Sequence, residues 1–214
     1  MEAAQFWNRV AASYARSPIA DTDAYEATLE RVRTHLKTTD HALELGCGTG
    51  TTALRLADAV DCYTASDFSS AMLEIGREKA RAAHITNVDF RTVELGGAQL
   101  EEGYDVALAF NVLHLVPDLP AALEQIRGAL RPGGRFISKT PCWPDSAVPL
   151  KYRALGTVLP IMRLLGKAPD FVKLRPVAEL EQLFRDAGFD FIEVGDYPKH
   201  PPSHLIVAQK PLAH

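Results

Sequence analysis

Short apolar runs alternate with amphipathic stretches along most of the chain. Five runs have the length of β-strands, and several are apolar on both faces, as buried parallel strands are. These strand candidates are residues 41–45, 62–66, 88–93, 105–110 and 135–139. Apolar residues at helical spacing fill the intervals at 51–59, 70–83 and 119–130. The pattern therefore predicts an α/β fold in which helices cover a parallel sheet.

Further elements flank this core on both sides. Two helices are predicted before the first strand, because apolar side chains share one helical face on either side of a break at Ser17 and Pro18. The residues on these faces are Phe6, Val10 and Tyr14, then Tyr25, Leu29, Val32 and Leu36. Near the other end, a helix at 177–187 precedes strand candidates at 189–194 and 205–209. These two strands are predicted to form a hairpin, which brings the sheet to seven strands.

Local signals mark several boundaries. Asp118 stands where an N-cap for the helix at 119–130 is expected, and Pro120 lies in its first turn. Gly188 is the expected C-cap of the helix at 177–187. The sequence Arg-Pro-Gly-Gly at 131–134 predicts a turn into the fifth strand.

The chain shows no internal repeat and no low-complexity linker, so we predict one domain over residues 1–214. Its parts are N-terminal helices at 1–38, a core at 39–139, an insertion at 140–176 and a closing helix with a strand hairpin at 177–214. The insertion breaks the alternation with proline-rich sequence around an apolar middle. It is too long for a simple loop, and we predict a helical cap.

Composition narrows the setting and the partners. A formal net charge of −4 and a pI of about 6.0 argue against a protein that holds a nucleic-acid backbone. The three cysteines, Cys47, Cys62 and Cys142, lack the paired spacing of a metal site, and their odd number excludes a complete disulfide set within one chain. No signal-peptide core or membrane-spanning run is recognisable. We expect a soluble, cytoplasmic protein with small-molecule or protein partners.

The glycine pattern after the first strand carries the most chemical information. Gly46, Gly48 and Gly50 alternate with other residues between the strand and the next helix. Glycines permit a tight turn and let a ligand approach the backbone, while the helix beyond supplies free N–H groups and positive potential. Such a loop is equally compatible with a plain turn.

An acidic residue on the second strand favours the ligand-binding interpretation. Asp67 lies 21 positions beyond Gly46 (67 minus 46), at the carboxyl edge of the adjacent strand, where a carboxylate accepts hydrogen bonds from ribose hydroxyls. NAD is one candidate nucleotide. However, the NAD fingerprint G-x-G-x-x-G requires glycine where this chain has Thr51.

From Glu44 to Gly50 the sequence reads Glu-Leu-Gly-Cys-Gly-Thr-Gly, and here it resembles the class I S-adenosylmethionine-dependent methyltransferases, whose first motif is an acidic residue followed by x-G-x-G-x-G. The segments 67–73, 104–114 and 130–135 resemble later motifs of the same family, in the same order. The resemblance covers roughly residues 40 to 140. It implies a Rossmann-like, mostly parallel seven-stranded sheet, with S-adenosyl-L-methionine as cofactor and S-adenosyl-L-homocysteine as product.

The resemblance also implies roles for single residues. Asp67 would bind the ribose, and Phe68 and Met72 would lie against the adenine. Glu94, followed by Leu95, stands where the family usually has an Asp that receives the adenine amino group, which is a departure. The residues expected to bind the cofactor are Tyr14, Glu44, Gly46, Cys47, Gly48, Asp67, Phe68, Met72, Glu94, Leu95 and Asn111. For Tyr14, which would close over the cofactor, and for Trp7, helix packing is the alternative interpretation.

The candidate catalytic residues are His114 and Tyr14. Methyl transfer depends mainly on aligning the acceptor and excluding water, so a base is optional. Where the acceptor carries a proton, His114 at the edge of strand four is the best-placed base, although a structural histidine is the alternative. His200 and His204 are separated by two prolines and cannot share a helical metal-binding face, so no metal site is predicted.

The insertion is the predicted specificity element because it lies above the carboxyl edge of the sheet. Apolar and basic residues mix between 150 and 167, which is typical of a lid over an apolar acceptor, of a helix that contacts a membrane surface, or of helices that pack on themselves. Residues 111–114 read Asn-Val-Leu-His rather than the Asn-Pro-Pro-Tyr type motif of many macromolecular methyltransferases. The leading hypothesis is therefore methylation of a small, partly apolar acceptor. The alternatives are a lipid or macromolecular acceptor, a cofactor-binding protein without methyl transfer and, last, an NAD-dependent dehydrogenase.

Overall fold

The computed structural model describes residues 2–97, 100–145, 168–199 and 202–212. Its strands are β1 His41–Leu45, β2 Cys62–Asp67, β3 Val88–Thr92, β4 Tyr104–Phe110, β5 Leu130–Trp143, β6 Arg175–Pro176, β7 Asp190–Asp196 and β8 Ser203–Gln209. Its α-helices are α1 Glu2–Arg16, α2 Thr22–Arg33, α3 Thr51–Leu56, α4 Ser70–Ala82, α5 Leu119–Ala129 and α6 Val177–Asp186. Two 3₁₀ turns lie at Ala57–Ala59 and Leu113–Leu115.

The strands form one sheet in the order β3-β2-β1-β4-β5-β8-β7, and the short β6 pairs with β5 beside this path. Neighbours from β3 to β5 are parallel, while β8 is antiparallel to both β5 and β7. This confirms the predicted mostly parallel α/β sheet and its closing hairpin. The two-residue β6 is an addition, since it is too short to leave a periodic signal in the sequence.

Strand β5 differs most from its prediction at 135–139, because it extends from Leu130 to Trp143. Its far end is lengthened by antiparallel pairing with β8 as far as Pro141 opposite Ser203. At its start, Leu130 pairs with Tyr104 and Arg135 with Val106, so the predicted turn at 131–134 becomes a bulge within the strand. The helix predicted at 51–59 is likewise divided, with α3 giving way to a 3₁₀ turn.

The predicted helix caps at Asp118 and Gly188 are confirmed. The Asp118 carboxylate accepts a hydrogen bond of 3.1 Å from the Ala121 amide at the start of α5. Gly188 has a φ of 77°, and the Phe189 amide beyond it donates to the Phe184 carbonyl at 3.1 Å, as in a Schellman motif.

The core lies on both faces of the sheet because neighbouring positions on each strand point to opposite sides. Ala107 and Phe136 belong to one apolar cluster, with α5 and α6, whereas Leu108 and Ile137 belong to the other. No helix in the described part of the chain is both long and apolar enough to cross a bilayer.

We predict that Phe184→Ala lowers the free energy of unfolding by about 3–5 kcal/mol, because it deletes a fully buried ring and leaves a cavity. The Phe184 ring stacks on Phe136 with centroids 5.2 Å apart. Urea unfolding followed by circular dichroism measures the loss. Ile192→Ala is the control, since that side chain is 47% exposed and its removal should change stability by less than about 0.5 kcal/mol.

Candidate active site

The glycine loop begins where β1 ends, and its backbone requires glycine. Gly46, Gly48 and Gly50 have φ values of 67°, 54° and 70°, in the left-handed region that favours glycine. At Gly46 a Cβ would lie 2.4 Å from Cγ2 of Val112, which no side chain tolerates. The loop can therefore approach the end of β4 only without side chains at this position.

Asp67 ties the glycine loop to the end of β2. The Gly48 amide donates to its Oδ2 at 2.9 Å, and the Ser69 amide donates to its Oδ1 at 2.8 Å. The side chain is buried, and loss of hydration raises its pKa while the backbone donors oppose that rise. The Phe68 amide also acts on this carboxylate, and two carboxylate oxygens together accept about four hydrogen bonds, so acceptor capacity remains for a ligand. These groups fit an adenosyl group, because the carboxylate can accept hydrogen bonds from ribose hydroxyls and the glycine loop beside it lets a ligand approach the backbone.

Two adjoining cavities open at this edge of the sheet. The first has a volume of about 380 Å³ and the second of about 180 Å³. The predicted cofactor residues that line the first are Tyr14, Glu44, Gly46, Cys47, Gly48, Asp67, Phe68, Met72 and Asn111. Glu94 and Leu95 line the second. Phe68 borders both cavities, whereas Met72 borders only the first, so Met72 and Glu94 do not share one pocket.

Helix α1 lines both cavities and is hydrogen-bonded to the start of α4. The Asn8 Oδ1 accepts from the Ser69 hydroxyl at 2.7 Å and from the Ala71 amide at 3.1 Å. Trp7 lines both cavities and contacts Tyr14 edge-to-face, with centroids 6.1 Å apart. Loss of hydration, followed by nearby carboxylates, raises the pKa of Tyr14, so its phenol is neutral at physiological pH.

Glu44 is a buried carboxyl on the floor of the first cavity. It is 2% exposed, and the Tyr63 hydroxyl donates to its Oε2 at 2.9 Å. Burial, and to a smaller extent the charge of Asp67, raises its pKa to about 7. Burial, followed by the charges of Glu44 and Asp67, raises the pKa of the Cys47 thiol, which is opposite to the shift that an activated thiol needs.

His114 lies in the 3₁₀ turn after β4 and lines neither of the two cavities. Its Nδ1 is buried and has no hydrogen-bond partner. Burial lowers its pKa from 6.5 to about 4, so the imidazole is neutral at pH 7 and is a weaker base than an exposed histidine.

The described C-terminal end of the insertion reaches the second cavity. Pro169, Asp170 and Phe171 line it, and the Lys173 amide donates to the His114 carbonyl at 2.8 Å. The apolar and basic stretch at 150–167 lies outside the described residues, as does His200. His204 is buried in β8 between two carboxylates. Its Nδ1 is 2.8 Å from Asp196 and its Nε2 is 3.2 Å from Glu181.

Several site residues carried no signal in the sequence. Asn8 is hydrogen-bonded to Ser69, which lies 61 positions further along the chain. Neither the spacing of the two residues nor their types predicts this contact. Val112 and Leu115 line both cavities, yet they follow a strand in an ordinary apolar pattern. Tyr25, which lines the first cavity, was predicted only as part of an apolar helix face.

We predict that Glu44→Gln removes a pH-dependent part of the stability. Because the pKa of Glu44 is raised from 4.5 to about 7, the folded protein holds a proton that the unfolded chain releases. That stabilisation is complete below about pH 4.5 and is lost as pH rises through about 7. The free energy of unfolding, measured by urea titration from pH 5 to 8, should fall in the wild type by on the order of 3 kcal/mol relative to the variant. Parallel curves would contradict the assignment.

Comparison with known proteins agrees with this geometry. The family pattern "Methyltransferase domain" matches residues 43–136. A demethylmenaquinone methyltransferase of Symbiobacterium thermophilum is 31% identical over 186 residues, which cover 73% of this chain and 71% of that protein. The highly reducing polyketide synthase easB of Emericella nidulans is 34% identical over 128 residues, which cover 53% of this chain but only 5% of the synthase.

A solved structure has the same fold. The geranyl diphosphate C-methyltransferase of Streptomyces coelicolor, crystallised with Mg²⁺, geranyl diphosphate and S-adenosyl-L-homocysteine, superposes with a TM-score of 0.69 at 18% identity. The match covers 87% of this chain and 79% of that one. At this identity the likeness shows the fold alone, and the closer sequence relative shows the family. The chain therefore belongs to the S-adenosylmethionine-dependent methyltransferases and is an enzyme that uses S-adenosyl-L-methionine as its cofactor.

Proposed function

We propose that the enzyme methylates a small, partly apolar acceptor by direct in-line transfer. The observation that carries this proposal is the wall of the first cavity beyond the predicted cofactor residues, where Ile19, Tyr25, Phe110 and Leu115 are joined by a few hydroxyl groups. The first cavity has a volume of about 380 Å³ and a wall that combines apolar and polar surface in similar amounts. The adjoining second cavity is lined mainly by apolar side chains, and the two together are suited to a small, partly apolar ligand. One relative is named for demethylmenaquinone, and a solved structure of the same fold is named for geranyl diphosphate.

The glycine loop and Asp67 would hold the cofactor, which supplies a methyl group on a positive sulfonium. The buried carboxyls of Glu44 and Asp67 make the floor of the cavity acidic, and this favours a ligand with positive charge. Helix α1 would exclude water from above, with Trp7 and Tyr14 over the opening and Asn8 holding the helix to α4. The main contribution of the protein to catalysis would then be to align the acceptor with the methyl group.

His114 is the proposed proton acceptor for acceptors that carry a proton. A neutral imidazole with an unpartnered Nδ1 is able to take one, although the low pKa makes it a weak base. Since His114 lines neither cavity, the 3₁₀ turn at Leu113–Leu115 must move for contact. The bond from Lys173 to the His114 carbonyl couples that turn to the end of the insertion. We propose on this basis that the insertion is a lid whose closure adjusts the turn.

Asp67→Ala is predicted to weaken S-adenosyl-L-homocysteine binding by more than about tenfold, because a buried acceptor that also holds Gly48 is lost. Isothermal titration calorimetry gives the dissociation constant, and circular dichroism checks that the variant is folded. Asp89→Ala is a matched control, because that carboxylate is 63% exposed on β3 and lines neither cavity. Equal constants for both variants and the wild type would rule out the assigned contact.

Release of S-adenosyl-L-homocysteine from a panel of thiols, phenols, amines, carboxylates and lipids tests the acceptor class. We expect turnover with small, partly apolar members. With a reactive acceptor in hand, His114→Ala should lower kcat while the cofactor dissociation constant stays within about twofold. An unchanged kcat would remove His114 from the mechanism, and turnover confined to lipid vesicles or to macromolecules would overturn the small-acceptor proposal.

A further inference from the structure

Three metal-ligating side chains of different chemistry meet at the amino-terminal edge of the sheet. His41 is the first residue of β1, Cys62 is the first residue of β2, and Asp61 precedes it. One ligand atom from each of the three lies within 4.8 Å of the other two. His41 Nε2 is 3.6 Å from Asp61 Oδ2. All three residues are exposed, so an ion from solvent can reach them.

The backbone that carries this cluster is fixed by the sheet. His41 and Cys62 are direct partners in the parallel pairing of β1 with β2. The His41 amide donates to Asp105 Oδ2 at 2.7 Å, and the Asp61 amide donates to the Asp40 carbonyl at 3.0 Å. Ligands on strand ends are positioned more precisely than ligands on loops, so less ordering is needed when an ion binds.

The charged side chains near His41, Asp61 and Cys62 form ion pairs with other residues. The two buried carboxylates beneath the cluster are already paired, Asp105 with Arg131 and Asp40 with Arg135. Among the described residues, Asp61 has only the His41 imidazole within ion-pair distance. Within the described ranges, the exposed face therefore offers a carboxylate and a thiol with no Lys or Arg side chain paired with the carboxylate.

We propose that His41, Asp61 and Cys62 bind a divalent ion of the zinc type. An imidazole nitrogen, a carboxylate oxygen and a thiolate sulfur are all Zn²⁺ ligands, and three of them leave one tetrahedral position for water. Mg²⁺ and Ca²⁺ prefer oxygen ligands alone and are disfavoured by the thiol. Binding forms a metal–sulfur bond and releases the Cys62 thiol proton to solvent.

This site is separate from the proposed methyltransferase chemistry. The residues of β1 and β2 that line the first cavity, Glu44 and Asp67, stand at the carboxyl ends of these strands. From His41 to Leu45 the chain rises by roughly 13 Å at the usual 3.3 Å per residue. Ion binding at one edge should therefore leave cofactor binding at the other unchanged, and either proposal can fail without the other.

The experiment is a titration of tag-free, chelator-treated full-length protein with Zn²⁺ by calorimetry, and with Co²⁺ by absorption spectroscopy. We expect one Zn²⁺ per chain and a thiolate-to-cobalt charge-transfer band in the near ultraviolet. Cys62→Ser and His41→Ala should each weaken Zn²⁺ binding by more than about tenfold, since even outer-shell changes cost 10- to 100-fold. Cys62→Ser should also abolish the cobalt band.

Cys142→Ala and His84→Asn are matched controls, because they remove a thiol and an imidazole outside the cluster and should leave Zn²⁺ affinity unchanged. The dissociation constant for S-adenosyl-L-homocysteine, measured for every variant with and without Zn²⁺, checks that each one is folded. Absence of saturable Zn²⁺ binding would overturn the proposal. Wild-type affinity in both Cys62→Ser and His41→Ala, or a cobalt band that persists in Cys62→Ser, would overturn it equally.

Discussion

The hydrogen bond from the Gly48 amide to the Asp67 carboxylate joins the glycine loop at 44–50 to the segment at 67–73. The glycine loop has a left-handed backbone that forms few bonds of its own, so a partner outside the loop must hold it. Asp67 provides that partner from the adjacent strand, and it also bonds the Ser69 amide at the start of α4. This buried carboxylate connects the loop, the end of β2 and the next helix. The Ser66 carbonyl, which accepts from the Cys47 amide at 2.9 Å, and the Lys79 ammonium, which donates to the Thr49 carbonyl at 3.2 Å, help to hold the same loop.

This arrangement places two buried carboxyl groups, those of Glu44 and Asp67, at the same cavity. Glu44 and Asp67 both line the first cavity, and burial raises the pKa of each. Burial, followed by the charges of these two carboxyls, also raises the pKa values of Cys47 and Tyr14, so the thiol and the phenol beside the loop stay neutral. Neutral groups are poor nucleophiles, so a methyl donor held in this cavity, as proposed, would meet no thiolate or phenolate from Cys47 or Tyr14 that competes with the acceptor. Burial of the site therefore raises the pKa values of the two carboxyl groups and also keeps the neighbouring thiol and phenol neutral.

The sequence predicted what is encoded locally. The order of strands and helices, the caps at Asp118 and Gly188 and the glycine loop all depend on residues within a few positions of one another. What it missed depends on distant contacts. The length of β5 follows from its pairing with β8, the role of Asn8 from a helix 61 positions away, and the low pKa of His114 from burial that no motif specifies. The cluster of His41 with Asp61 and Cys62 was not predicted for the same reason, because the pairing of β1 with β2 brings these residues together and their spacing in the sequence does not show it.

Long-range contacts also decide how the site is enclosed. Trp7 comes from the first helix, Leu115 from the turn after β4, and Phe171 from the end of the insertion, and all three border the second cavity. Elements from three distant parts of the chain must therefore meet before that cavity exists. The core below needs none of them, since its strands and buried aromatic rings pack on either face of the sheet. A fold of this kind can vary the cover while it keeps the glycine loop and Asp67, which separates the part proposed to hold the cofactor from the part proposed to select the acceptor.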